Sequence, residues 1–309
     1  MADGDDVPGD DERLDSDPTA ETPSRGGVVE RLSADDAFEL LGNEARLDIV
    51  RALFDADGER SFSALREAVG VRDSGQFNYH LEKLVGSFVR KTDDGYGLTR
   101  AGSQVAGSIL AGQYTKTVEG DPVPVDADCP YCEGPLVARF DDDLVRVACD
   151  DCERAVIGLP VPPGAFEDYP RSEWPAVAER WTRGAFESAE RGFCRTCHGP
   201  VRSEVEVDPD GVFEPFDAAV RYICQRCGAE VRASAGASVL FAPAVVAFYH
   251  ERGVDVSETP MWEFDWAVRP SASVVSEDPV RVEVAVEHEG ARLVLTLDGK
   301  GDVVGERRE

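Results

Sequence analysis

All eight cysteines of this 309-residue chain fall into four Cys-x-x-Cys pairs: Cys129/Cys132, Cys149/Cys152, Cys194/Cys197 and Cys224/Cys227. No other feature constrains the fold as strongly. A Cys-x-x-Cys turn lets two thiolates converge on one cation, and Zn²⁺ takes four ligands in a tetrahedron, so two such turns on facing hairpins close a structural site. From Cys129 to about Ala233 the pattern of pair, strand-like stretch, pair occurs twice, an internal duplication in outline. The spacers, Arg139 to Arg146 and Val201 to Arg221, suit β-hairpins, and Gly134, Gly199 and Gly228 lie just after the second cysteine of a pair, where the backbone must curl. Consecutive pairs are taken to share a metal; spacing alone also allows a swapped pairing between ribbons. A thioredoxin-like role is excluded because no pair opens a helix after a βαβ strand. His198 adjoins Cys197 as a spare donor, since four thiolates already fill the shell. A closed Cys₄ shell leaves no position for water or substrate, so both zinc sites are expected to be structural.

The compartment supports ligation over disulfides. The first residues are acidic and lack an apolar core, so no signal peptide is expected. The most apolar run, Ala233 to Tyr249, is interrupted by Pro243 and too short to span a bilayer. A cytoplasmic protein is expected, with no membrane association, and there thiols stay reduced or bind metal. The net charge of −29 comes from 61 acidic residues against 32 basic ones, of which only Lys83, Lys91, Lys116 and Lys300 are lysine. Such charge destabilises a fold by self-repulsion unless salt screens it. It reads as the surface of a halophile, so it reports the solvent more than the partner.

Ahead of the cysteines, residues 1–27 form an acidic tail with hardly any large apolar side chain, expected to be disordered. Residues 32–117 read as one module. Ser33 caps a helix carrying Ala37, Phe38, Leu40 and Leu41, ended by Gly42-Asn43. Asn43 caps a second helix with Ala45, Ile49, Val50, Leu53 and Phe54 at helical spacing, stopped by Asp57-Gly58. Ser61-Phe-Ser63 is short enough to pair with a later strand, and Ser63 caps a third helix, Ala64 to Val69, closed by Gly70. Asp73-Ser-Gly-Gln76 has capping-box spacing and opens a fourth helix, Ser74 to Gly86. Phe77, Leu81, Leu84 and Phe88 must face the core. The opposite face carries Gln76, Tyr79 and Lys83, with Asn78, His80 and Glu82 on the flanks. Gln and Asn can bond an adenine edge in a major groove, and Lys can reach guanine or phosphate. His80 reads as a packing residue rather than a titrating switch. A hairpin from Phe88 through Asp93-Asp-Gly95 to Arg100 follows; Arg90, Lys91 and Arg100 are placed to contact phosphates.

A short helix, a three-residue turn into a capped helix and an immediate hairpin is the order of a winged helix-turn-helix. The stretches Asn43-Glu-Ala-Arg-Leu-Asp-Ile-Val-Arg-Ala-Leu53, Phe62-Ser-Ala-Leu-Arg66, Phe77-Asn-Tyr-His-Leu-Glu-Lys-Leu84 and Phe88-Val89 resemble the ArsR-like winged helix family as it occurs in haloarchaea, with His80-Leu-x-x-Leu84 the most specific part. The likeness covers about Leu32 to Gly112, roughly a quarter of the chain. It implies a recognition helix at Ser74 to Gly86 with Ser74, Gln76, Asn78, Tyr79 and Lys83 as DNA contacts. It also implies a wing at Phe88 to Arg100 and dimerisation through flanking helices. A metal- or thiol-sensing role is not carried over, because this module has no cysteine. The acidic tip, Asp93-Asp94, departs from a wing that enters a groove. A bland alternative is an all-helical packing module with a polar outer face.

Residues 118–128, with Asp121-Pro-Val-Pro-Val-Asp126, read as a linker. Residues 129–235 hold the two ribbons and an intervening helix, Glu173 to Arg191. Residues 236–309 hold a helix, Pro243 to Arg252, and an antiparallel meander with Val280, Val282, Val284 and Val286, then Leu293, Leu295 and Leu297, turning at Glu289-Gly290 and Asp298-Gly299. The fold class expected is therefore multidomain α+β. Catalysis finds no motif: His250 and His288 are isolated, and no phosphate loop, nucleophile elbow or HExxH is present. The leading expectation is a regulator that binds double-stranded DNA, as a homodimer, with the zinc region taking a protein partner or small-molecule effector. The alternative is a zinc-ribbon adaptor for protein or RNA. A third reading, an enzyme site at Trp262, Phe264 and Trp266, competes with a plain core role for those aromatics.

Overall fold

The computed structural model describes residues 32–56, 58–141 and 144–309. The acidic tail and Asp57 lie outside the described residues. The chain divides into two compact units, with the boundary between Ser103 and Gln104. Helices and four antiparallel sheets make up the described residues.

The first unit contains α1 (Ala34–Leu41), α2 (Glu44–Phe54), α3 (Phe62–Val69), α4 (Ser74–Leu84) and the hairpin β1 (Val89–Lys91) with β2 (Tyr96–Leu98). Helix α5 (Arg100–Leu110) crosses the boundary. Ile49 and Val50 of α2, Leu65 of α3, and Phe77, Leu81 and Leu84 of α4 are completely buried, so the expected apolar stripes meet in one core. Ser33 Oγ accepts from Asp36 N, as a cap should. Three details differ from expectation. Asn43 occupies the N-cap of α2 without a side-chain cap bond, and its buried Oδ1 has no partner. The cap of α3 is Ser61, not Ser63, because Phe62 joins the helix to pack edge-on against Phe77 at 5.1 Å. Finally, α4 stops at Leu84: Val85 is extended and Gly86, at φ 91°, reverses the chain.

The residue that pairs with the hairpin is Arg60, one before the expected Ser61-Phe-Ser63. Its N–H and C=O exchange 2.9 Å bonds with Tyr96. Gly95 permits this, since a Cβ there would stand 2.4 Å from the Arg60 carbonyl oxygen. Gly102 plays the same part at the start of α5, where a Cβ would stand 2.1 Å from the Phe88 oxygen.

The second unit is built from three sheets. The first runs β3 (Val123–Asp128), β4 (Pro135–Asp141), β5 (Leu144–Cys149), β6 (Ala155–Pro160), in that order. The segment 118–128 is therefore no linker. Val123 and Val125 alternate inward, bury with Val118, and make β3 an edge strand paired to β4. After α6 (Trp174–Glu190) comes the second sheet, β7 (Val201–Val207), β8 (Ala218–Cys224) and β9 (Glu230–Ser234). Then α7 (Pro243–His250) and α8 (Asp265–Val268) lead into the meander β10 (Ala272–Glu277), β11 (Val280–His288), β12 (Ala291–Asp298) and β13 (Val303–Arg308). Val282, Val284, Val286, Leu293, Leu295 and Leu297 are fully buried, as their alternation requires. They share one core with Cys129, Leu136, Val147, Leu240, Phe248 and Trp262, so residues 236–309 do not bury a core of their own. Trp262, Phe264 and Trp266 are core residues; Trp266 Nε1 donates to Tyr249 Oη at 2.7 Å.

One buried ion pair clamps this unit. Arg183 donates through Nε to Glu179 Oε1 (3.1 Å), through Nη1 to the Val256 carbonyl (2.6 Å) and through Nη2 to the Thr259 carbonyl (2.7 Å). Glu179 also accepts from Met261 N at 3.2 Å. Helix α6 thus fixes the loop from Val256 to Met261 through groups that water does not reach.

Candidate metal centres and the exposed face of helix α4

Each Cys-x-x-Cys pair lies on a tight turn, and the four turns share one hydrogen-bond scheme. The N–H of the first cysteine donates to the carbonyl five residues on: Cys129 to Gly134, Cys149 to Arg154, Cys194 to Gly199, Cys224 to Ala229. The carbonyl of that cysteine accepts from the residue after the second cysteine: Glu133, Glu153, His198 and Gly228. All four of these are left-handed, at φ 60°, 59°, 56° and 73°. Only Gly228 adopts that region at no steric cost. The other two glycines singled out in the sequence serve a different end. Gly134 leaves room for Asp151, and a Cβ on Gly199 would stand 2.8 Å from Arg226 Cβ and 3.1 Å from Cys197 Sγ. They let the facing turn come close rather than supply positive φ.

The duplication is tighter than the cysteine spacing suggests. Both first turns read Cys-x-x-Cys-x-Gly-Pro, and the proline carbonyls accept equivalent bonds across the ribbon, Asp150 N to Pro135 O (3.0 Å) and Gln225 N to Pro200 O (2.9 Å).

These turns gather the thiols into two groups, Cys129/Cys132/Cys149/Cys152 and Cys194/Cys197/Cys224/Cys227, with the four sulfurs of each within 4.8 Å of one another. Consecutive pairs therefore share a site, and the swapped arrangement is ruled out. Between turns the sulfurs lie 3.7 Å (Cys129–Cys152), 3.5 Å (Cys132–Cys149), 3.8 Å (Cys194–Cys227) and 3.4 Å (Cys197–Cys224) apart. A disulfide needs about 2.05 Å. A tetrahedron with metal–sulfur bonds of about 2.3 Å has sulfur–sulfur edges of about 3.8 Å. The donor set and its spacing fit a four-coordinate metal.

The electrostatics point the same way. Backbone N–H groups of Cys152 and Asp151 draw the Cys149 thiol down to about 7. Those of Cys227 and Arg226 draw Cys224 down to about 6. Cys132 and Cys197 go the other way, both to about 12. At Cys132 hydrogen bonds with Cys149 and Cys152 outweigh the Gly134 N–H that favours its thiolate; at Cys197 desolvation leads, followed by Cys227. The most acidic thiol occupies the same place in each site, and at the second site Cys194 is lowered as well, its desolvation outweighed by backbone N–H groups of Cys197 and Thr196.

Around the first site, Tyr131 Oη donates to the Val268 carbonyl and Arg154 stacks on the Tyr131 ring at 4.5 Å. At the second, Arg226 Nη1 donates to the Cys197 carbonyl at 3.1 Å. His198 occupies the left-handed position of its turn and is not among the clustered ligands.

On α4, Asp73 Oδ1 accepts from Gln76 N at 2.6 Å, which fixes where the helix starts. Ser74, Gln76, Asn78, Tyr79 and Lys83 are exposed; Tyr79 is 57% exposed, with Lys83 Nζ 5.7 Å from its ring centroid. His80 is half-buried against the edge of Tyr79, its Nδ1 without a partner. Lys91 and Arg100 are exposed, and Lys91 lies over Tyr96. Arg90 is already engaged: Nη1 donates to the Leu98 carbonyl and Nε faces Glu59 at 3.5 Å. Asp93 and Asp94 are exposed at the hairpin tip. Among the described residues no helix is long and apolar enough to cross a membrane.

The model of a family described as a domain of unknown function, DUF7351, matches residues 126–303, more than half of the chain. The chain belongs to the DUF7351 family. That segment holds both cysteine clusters, α6 and nearly all of the meander. A second domain of unknown function, DUF7347, matches residues 34–109, the stretch from α1 into α5. No curated protein and no solved structure gave a significant match.

Proposed function

We propose that this chain is a DNA-binding transcriptional regulator of the ArsR-like winged helix type, without enzymatic activity, whose DUF7351 segment is a zinc-stabilised interaction or sensing region. The observation that carries the reading is the face of α4. In a chain of net charge −29, this helix presents Ser74, Gln76, Asn78, Tyr79 and Lys83 to solvent, with Glu82 its only acid. A neutral, hydrogen-bonding helix face beside a small hairpin suits a major groove. Arg100 and Lys91 supply phosphate contacts. Arg90 serves the hairpin instead, through Glu59 and Leu98.

Zinc is the metal the two tetrathiolate clusters suit best, because soft thiolates at tetrahedral spacing favour it. It would tie the two turns of each ribbon together and supply no chemistry to a substrate. Helix α5, which carries Val105, Ile109 and the exposed Leu110, and the exposed Phe38 of α1 support homodimerisation through flanking helices. High cytoplasmic salt is the fitting environment.

A second reading has its own observation. The acidic tip, Asp93 and Asp94, would be repelled by phosphate, which suits an adaptor docking protein or RNA. Footprinting on genomic fragments in concentrated KCl separates the two. The regulator reading expects discrete protected sites that a Gln76→Ala, Lys83→Ala double variant no longer protects. Unchanged protection by that variant, or crosslinking that recovers RNA or polymerase subunits and no DNA, overturns it.

A further inference from the structure

The second unit holds a cavity of about 420 Å³ whose walls are strand β6, strand β9, helix α6 and the loop around Phe213. Its lining is mainly apolar, with Val156, Ile157, Phe186, Phe213, Phe216 and Val231 prominent. Cavities of about 300 to 1,000 Å³ lined in this way are the usual size for small-molecule sites.

We propose that this cavity binds a mostly apolar small molecule. Two observations select that class. Phe186 of α6 and Phe213 and Phe216 of the loop bring three aromatic rings to one lining. The second is Gly158, in the interior of β6. A strand glycine normally marks a bulge or a close approach of backbone. Here φ is not positive, and a Cβ would meet nothing within 4 Å. The space that Gly158 leaves open is the cavity.

Glu230 and Arg232 of the wall are already paired. Glu230 receives both Nε and Nη2 of Arg221, at 3.0 and 2.8 Å. Arg232 donates to Glu206 at 2.7 Å and to Asp210 at 3.3 Å. Its guanidinium also lies 5.0 Å from the Phe213 ring centroid, which ties the loop carrying Phe213 and Phe216 to the wall.

The assignment deepens the sensing role proposed above for the DUF7351 segment and rests on it only for the ligand's effect on DNA, so binding is measured without DNA. Nile red, a neutral apolar dye with a carbonyl acceptor, is titrated into the full-length, zinc-loaded protein in concentrated KCl. One dye per chain is expected, with blue-shifted emission. Gly158→Phe, which fills the cavity, should weaken binding about tenfold or more while zinc content and melting temperature hold. Absence of saturable binding, or equal affinity in Gly158→Phe, overturns the proposal. Loss of DNA protection alone leaves it standing.

Discussion

At the scale of single residues, two kinds of position carry the structure. The left-handed residues after each second cysteine are one. His198 sits there at φ 56°, so its imidazole is incidental to the turn. His198→Gly should keep full zinc content and raise stability by about 1 kcal/mol, the usual relief of left-handed strain; loss of zinc on this change would make His198 a ligand. Gly199 is the opposite case. A methyl group there meets Arg226 Cβ and the Cys197 sulfur, so Gly199→Ala should weaken zinc in chelator competition more than Gly134→Ala, which meets only the side chain of Asp151. The buried pair is the other kind. Arg183→Met strands Glu179 without its partner and should cost about 3–5 kcal/mol by denaturant melting, while adding Glu179→Leu should recover most of it.

Among elements, what can be read from the chain follows the strength of the local signal. Helices α2 and α4 and the strands β11 and β12 are readable because their apolar positions recur without interruption. Helix α4 adds a working cap, and Asp73→Ala should cost about 1 kcal/mol in the first unit's unfolding. Ends are less legible than interiors. The cap of α3 falls at Ser61 because Phe62 is drawn in by Phe77, a contact between residues distant in the chain that no local pattern reveals. Strand β3 hides in a Pro-Val-Pro-Val run that reads as linker, since an edge strand tolerates proline and its partner β4 lies beyond the first cysteine pair. For the sites, the cysteine clusters are fully legible, whereas the Pro135/Pro200 equivalence, the Arg183 clamp and the cavity at Gly158 need tertiary structure. Arg90 is a candidate phosphate contact by position, and only the fold shows Glu59 and Leu98 holding it.

For the whole molecule, the second unit is expected to depend on the metal that its two tetrathiolate clusters could hold. Its two ribbons end in thiolate clusters, and the first cluster borders a core that continues into the meander. Stripping the metal with a chelator should therefore lower the cooperativity of the entire unit, not only of the ribbons, as near-ultraviolet dichroism of Trp262 and Trp266 can report. Protons compete for the same sulfurs. With Cys149 drawn down to about 7 and Cys224 to about 6, the thiolate forms are populated above those values and lost as pH falls through them. Metal affinity should thus fall as pH is lowered from about 8 to about 5. Salt should act in the same sense as metal on stability, since screening relieves the repulsion of 61 acidic groups.

The central claim is that helix α4 reads DNA. Chromatin profiling in the native organism tests it most directly, comparing the parent chain with the Gln76→Ala, Lys83→Ala variant at equal abundance. The account predicts narrow peaks over a shared sequence in the parent that disappear in the variant. Peaks that persist unchanged, or a parent profile no different from an untagged strain, would contradict it.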